Sequence, residues 1–206
     1  TGSGYVNPIQ QRIGQFGGYG NFRVHNRRHE YNSKTGLWEQ ISETSPQLPW
    51  PRGGTQIFPG KDRKTWFMLG GSGNREGQEG LREANLKSFT GTFYPLGDFW
   101  RLDLTTQQWR PLLGIQEWTP PGLQKGIYHP ALDSVLFLTG IEPTRPAQAH
   151  VHLWTESGEH LPRALPNRGD SPPPLFRCWT LLVEPGSGDL WVFADEGIFT
   201  VKIQAA

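Results

Sequence analysis

Apolar residues along this chain come in short runs closed by turn residues, and the runs return at a regular interval. Trp66-Phe67-Met68-Leu69 and Ser134-Val135-Leu136-Phe137-Leu138 are dominated by apolar residues, which predicts buried strands. Phe99-Trp100-Arg101-Leu102-Asp103-Leu104 alternates, as a half-buried strand does. Thr105-Thr106-Gln107 then turns the chain toward a partner strand beginning near Gln108-Trp109. Asn32 to Gly36 and Glu156 to Gly158 carry comparable turn chemistry. Further strands are predicted over Gly54 to Phe58, Gly126 to Ala131 and Cys178 to Val183. The one helical candidate is the short stretch Glu79 to Lys87.

A strand that ends in paired small residues occurs four times. The copies are Gln15-Phe16-Gly17-Gly18, Phe67-Met68-Leu69-Gly70-Gly71, Phe137-Leu138-Thr139-Gly140 and a degenerate Val192-Phe193-Ala194-Asp195. After each of the first three comes an apolar residue with a ring residue seven positions on: Tyr31 and Trp38, Leu102 and Trp109, Leu153 and His160. The steps from 18 to 31, 71 to 102 and 140 to 153 are 13, 31 and 13 residues, so the middle unit holds an insertion of 18. With those 18 set aside, successive anchors lie 53, 51 and 55 residues apart. A period of this length predicts one supersecondary unit per repeat, here four short antiparallel strands. The units run approximately over 8–45, 46–115 with the insertion at 73–96, 116–165 and 166–206. Little precedes Arg12 and the last unit stops at Ile203, so the expected strand counts are three, four, four and three.

These residues resemble Kelch repeats. The second unit carries the pattern best, with Pro51-Arg52-Gly53-Gly54, then Leu69-Gly70-Gly71, then Gly97-Asp98-Phe99-Trp100-Arg101-Leu102-Asp103-Leu104, then Trp109. The first has Gly17-Gly18, Tyr31 and Trp38; the third keeps Gly140, Leu153 and His160; the fourth has Ala194-Asp195 where the glycine pair belongs. The resemblance implies an all-β fold, a Kelch-type β-propeller segment of about four blades that forms part of a larger ring. Glycine fits where a blade narrows, because a residue without a Cβ lets backbones approach or take positive φ. The aromatics would fill the space between blades, burying ~150–250 Å² each. The missing strands would come from another chain, an identical copy or further sequence of the same protein, since open blade edges invite association. The pattern marks a fold and says little about activity.

Composition narrows the function classes. Nine Trp and a 35% hydrophobic fraction suit a packed domain, while Gly 26 and Pro 18 suit many tight turns. The single Cys178 allows no internal disulfide. Lys+Arg 20 against Asp+Glu 19 leaves a net charge of +1, which argues against nucleic acid held by bulk charge. No apolar run is long enough to span a membrane as a helix, so no membrane partner is expected.

In Kelch propellers the loops after each glycine pair line one face of the ring and commonly hold ligands. The resemblance therefore implicates Tyr19, Asn21, Arg23 and His25 in the first unit. In the second it implicates Arg52, Ser72, Asn74 and Arg75, and in the third Glu142 and Arg145. Guanidinium groups bind carboxylates bidentately, so such a rim suits a protein or acidic peptide partner. The insertion ends in Phe89, Phe93 and Tyr94, aromatics able to pack on a partner. The basic stretch Arg23, His25, Arg27, Arg28 and His29 is interrupted by Glu30 and divided between two strand faces by alternation. His150 and His152 share a strand face but lack a carboxylate at ligand spacing, and Cys178 sits in an apolar strand as a structural cysteine. No nucleophile elbow, phosphate loop or paired-carboxylate motif is present. No catalytic residue, metal or cofactor is therefore assigned. A propeller enzyme acting on a small polar substrate such as a sugar is the alternative, because scattered Arg, His and Glu leave no motif; a purely architectural subunit is a third reading.

Overall fold

The computed structural model describes residues 2–20, 23–73, 94–113, 125–139, 150–155, 160–164, 178–194 and 197–203. All regular structure among the described residues is β, in antiparallel sheets, with no helix. The candidate helix Glu79 to Lys87 lies outside the described residues, as does Gly140. The chain divides into two compact units, Thr1–Thr119 and Pro120–Ala206.

In the first unit β1 (Ser3–Asn7), β2 (Arg12–Phe16), β5 (Arg28–Asn32) and β6 (Leu37–Gln40) form one four-stranded meander. Between its second and third strands rises a small hairpin, β3 (Tyr19–Gly20) with β4 (Arg23–Val24). After the two-residue β7 (Arg52–Gly53) comes a second meander of β8 (Gln56–Pro59), β9 (Thr65–Leu69), β12 (Phe99–Asp103) and β13 (Gln108–Leu113). Its corresponding hairpin is β10 (Ser72–Gly73) with β11 (Tyr94–Pro95). The 18 extra residues of this repeat thus fall in sequence between β10 and β11, outside the described residues.

The second unit holds the meander β14 (Lys125–His129), β15 (Ser134–Thr139), β16 (His150–Thr155) and β17 (His160–Ala164). It also holds a three-stranded sheet of β18 (Cys178–Val183), β19 (Leu190–Ala194) and β20 (Gly197–Val201).

Strand pairing repeats with the period of the sequence. The first two strands of each sheet close on a four-residue turn between Asn7 and Arg12, Gly60 and Thr65, His129 and Ser134, and Glu184 and Asp189. The steps 7 to 60, 60 to 129 and 129 to 184 reproduce 53, 51 and 55 once the 18 inserted residues are set aside. Tyr31 faces Trp38 and Leu102 faces Trp109 directly across their hairpins, which is why seven residues separate them.

Two expectations need correction, and one spacing takes a different register. The first sheet has four strands, because β1 forms from a segment whose Ser3-Gly4 start hides it from an apolar-run search. In the third sheet Leu153 faces Leu161 and Trp154 faces His160, so the seven-residue spacing that joins direct partners in the first two meanders does not do so there. Trp38 is 53% exposed and fills no gap between sheets, whereas its counterpart Trp109 is 4% exposed.

Alternation explains the first unit's core. One face of the first sheet carries Tyr5, Gly14 and Phe16, and these pack on Trp66, Met68, Trp100, Leu102 and Trp109 of the second. Tyr5 meets Trp66 edge-on at 5.9 Å and Phe16 meets Trp109 at 5.1 Å, separations within the favourable range for aromatic pairs. The Tyr5 ring lies over Gly14, where an added Cβ would come within 2.1 Å of it. Several buried polar groups on this face are paired, although Arg28 Nη1 and Glu30 Oε2 have no hydrogen-bond partner among the described residues. Glu30 accepts from the Tyr5 hydroxyl at 2.8 Å and the Asn7 amide at 3.0 Å, and Arg28 Nε donates to Glu43 at 2.8 Å. Burial raises the Tyr5 phenol and the Glu43 carboxyl above their ordinary ranges, the latter against the opposing pull of Arg28.

The second unit's core joins Leu136 to Leu181, Leu190 and Val192, with Ile127, Val183, Phe199 and Val201 beside them. Buried His129 uses both ring nitrogens. Its Nδ1 accepts from Leu132 N–H at 3.2 Å, which leaves Nε2–H to donate to the Gly188 carbonyl at 2.7 Å.

Candidate functional site

Each glycine pair in the first unit makes the same departure from its strand. Gly17 and Gly18 have φ of 62° and 108°, and Gly70 and Gly71 have 55° and 100°, values open to glycine without steric cost. The bonds around them match. Gly17 N–H donates to the Arg27 carbonyl and Gly70 N–H to Asp98, each at 3.0 Å. His25 N–H donates to Gly18 O at 3.1 Å, and Leu96 N–H to Gly71 O at 2.8 Å. The pair turns the chain out of the sheet, sends up a hairpin and returns it to the third strand.

The β7 segment ties the two hairpins together. Arg52 O accepts from Gly18 N–H at 2.8 Å and its N–H reaches the His25 carbonyl at 3.4 Å. Arg52 and Gly53 then pair with Gly73 and Ser72 of β10. The contact is too close for larger residues: a Cβ on Gly17 would lie 2.6 Å from Arg52 O, and one on Gly73 2.2 Å from Pro51 O. The result is one hydrogen-bonded rim from β4 through β7 to β10 and β11.

The Arg52 side chain anchors this rim from inside. It is fully buried and forms a bidentate ion pair with Asp98, its Nη2 bond measuring 2.6 Å. Nη1 also donates to the Gly70 carbonyl at 2.8 Å and Nε to Trp50 O at 3.0 Å. Trp100 Nε1–H supplies a further donor to Asp98 at 2.6 Å. Arg52 was expected as a side chain facing a partner; its guanidinium is instead spent on the protein itself. Asp98 is the residue that sequence reasoning missed. It stood within the quoted pattern, but nothing local signals a partner 46 positions away.

No protein-family model matches the chain, and no curated protein matches it.

The other expected site residues divide as follows. Ser72 is exposed in β10. His25 is half-buried beside β4; its Nδ1 accepts from Arg27 N–H at 3.3 Å and its ring lies edge-on to His29 at 5.9 Å. Burial lowers both imidazoles below the ordinary histidine range; His29 and Arg27 add to this for His25, and Arg27 for His29. Neutral imidazoles at the rim offer donor and acceptor nitrogens rather than charge. Tyr19 and Arg23 lie in β3 and β4 by backbone position. Asn21, Asn74, Arg75 and Arg145 lie outside the described residues. The rim thus brings Tyr19, Arg23, His25, Arg52 and Ser72 onto one connected backbone frame, and Arg52 serves that frame.

Proposed function

We propose that the chain is a Kelch-type β-propeller segment of four blades that presents its hairpin rim to a protein or peptide and completes its ring by association. The observation that carries this reading is the duplicated glycine-pair geometry, which raises a hairpin at the same place in successive meanders and locks both to β7. Exposed loops on a rigid scaffold are the usual place for recognition. The matched repeat of four-stranded antiparallel meanders, with glycines at the constrictions, supports the Kelch reading over an unrelated β-sandwich.

Because Asp98 neutralises Arg52, recognition falls to Arg23, the imidazoles and the hydroxyl of Ser72. These groups suit a partner rich in carboxylates and carbonyls. A phage-displayed peptide library panned on the purified chain tests it. Enrichment of Asp- or Glu-containing sequences whose binding falls at least ~10-fold in Arg23→Glu, a loss of about 1.4 kcal/mol, is the expected result. No enrichment, or binding indifferent to that substitution and to Ser72→Trp, contradicts it.

A further inference from the structure

One buried cluster of ionisable groups lies between the two sheets of the first unit and takes no part in the rim. Arg28 and Glu30 stand two positions apart on β5, so alternation turns both onto the face that carries Tyr5 and Phe16. Both are fully buried, and Glu43 beside them is only 11% exposed. The cluster therefore holds two carboxylates and a single guanidinium. Arg28 is committed to one of them: its Nε donates to Glu43 Oε1 at 2.8 Å and its Nη2 to Oε2 at 3.5 Å. Glu30 receives neutral donors, the Tyr5 hydroxyl and the Asn7 amide, both on Oε1, while its Oε2 has no hydrogen-bond partner among the described residues.

The surroundings do not supply a second cation. On the same face of the first sheet, among the described residues, stand Arg12 and Glu39, which pair with each other at 2.8 Å and cancel. The second sheet turns Trp66, Met68, Trp100, Leu102 and Trp109 toward the cluster, none of them charged. Its Arg101, Asp103 and Arg110 alternate to the far face. A carboxylate buried without its own counter-charge is strongly disfavoured and takes up a proton instead. Burial holds the Glu43 carboxyl above its ordinary range against the pull of Arg28 and the Trp109 indole, and Glu30 adds to the rise. Tyr5, raised by burial, stays protonated and keeps its hydroxyl as a donor.

We propose that Glu30 and Glu43 form a buried proton-binding site, one proton shared by the pair, so that the packing of the first two sheets strengthens as the medium turns from neutral to mildly acidic. The proton belongs to the pair, since two carboxylates around one guanidinium titrate together. The folded chain then binds more protons than the unfolded one. Stability is gained as the pH falls through the folded value, and the gain is complete near the unfolded value of 4.5. An ordinary salt-bridged carboxylate does the reverse and loses stability in acid. His25 and His29 oppose the gain: their folded values lie below 6.5, so they take up protons on unfolding. Neither carboxylate touches the rim, and the site is independent of what the rim binds.

Urea unfolding of the wild type, Glu43→Gln and Glu30→Gln between pH 8 and pH 5 tests it. Each substitution leaves Arg28 with one carboxylate and keeps an amide oxygen as acceptor, and the difference from wild type cancels the imidazoles. At pH 8 the Glu43→Gln midpoint is expected at or above that of the wild type. As the pH falls to 5.5 the wild type gains on both variants by roughly tenfold in the folding equilibrium, a midpoint shift of about 0.5–1 M urea. A difference that stays constant or moves the other way overturns the proposal. So does a Glu43→Gln midpoint well below wild type at pH 8, the mark of an ionised carboxylate that Arg28 requires. An acid gain kept intact in Glu30→Gln also overturns it, because burial alone would then hold the proton. Infrared difference spectra of the folded wild type across the same range need no variant. A carboxyl-protonation band arising above pH 5 is expected, and its absence overturns the site.

Discussion

Replacing Arg52 by Leu is expected to destabilise the first unit by about 3–5 kcal/mol, the cost of leaving a buried carboxylate without its counter-charge. The substitution leaves Asp98, itself buried, with the Trp100 indole and no cation, and it frees the Gly70 and Trp50 carbonyls of their donors. The double variant Arg52→Leu with Asp98→Leu recovers part of the loss, because both charges leave together. Urea unfolding followed by tryptophan fluorescence measures both effects. A loss below ~1 kcal/mol, the value of a solvent-exposed pair, would mean that the guanidinium is free to meet a partner at the rim.

Trp109→Ala and Trp38→Ala should differ sharply although the two residues hold the same place in the repeat. Trp109 is enclosed between the sheets against Phe16, so its removal costs about 3–5 kcal/mol. Trp38 lies open on the first sheet, 5.7 Å from Tyr31, and its removal costs under ~1 kcal/mol. Equal losses would show that Trp38 is covered in solution as Trp109 is.

The all-β class, the repeat length and most strands were legible because they depend on local pattern. The seven-residue spacing of Tyr31 to Trp38 encodes a hairpin register directly, and Gly17-Gly18 and Gly70-Gly71 mark backbone that only glycine enters easily. Register was not legible where it rests on one residue's difference, as in the pairing of Leu153 with Leu161. β1 was missed because three of its five positions are Ser, Gly and Asn, made strand-like by pairing with β2 rather than by propensity. Burial of equivalent aromatics was also hidden. Trp38 and Trp109 occupy the same repeat position, and only the presence of a neighbouring sheet separates them. The anchoring role of Arg52 lay beyond sequence because a buried ion pair and a solvated loop use the same residue types.

The most direct measurement is electron microscopy of the purified chain under native conditions. Class averages showing a closed ring of radial sheets around a central channel are the expected result, and they would place the glycine-pair hairpins together on one face. Particles without a channel would contradict the propeller, whatever their mass, and would leave the repeated meanders as stacked sheets of another kind.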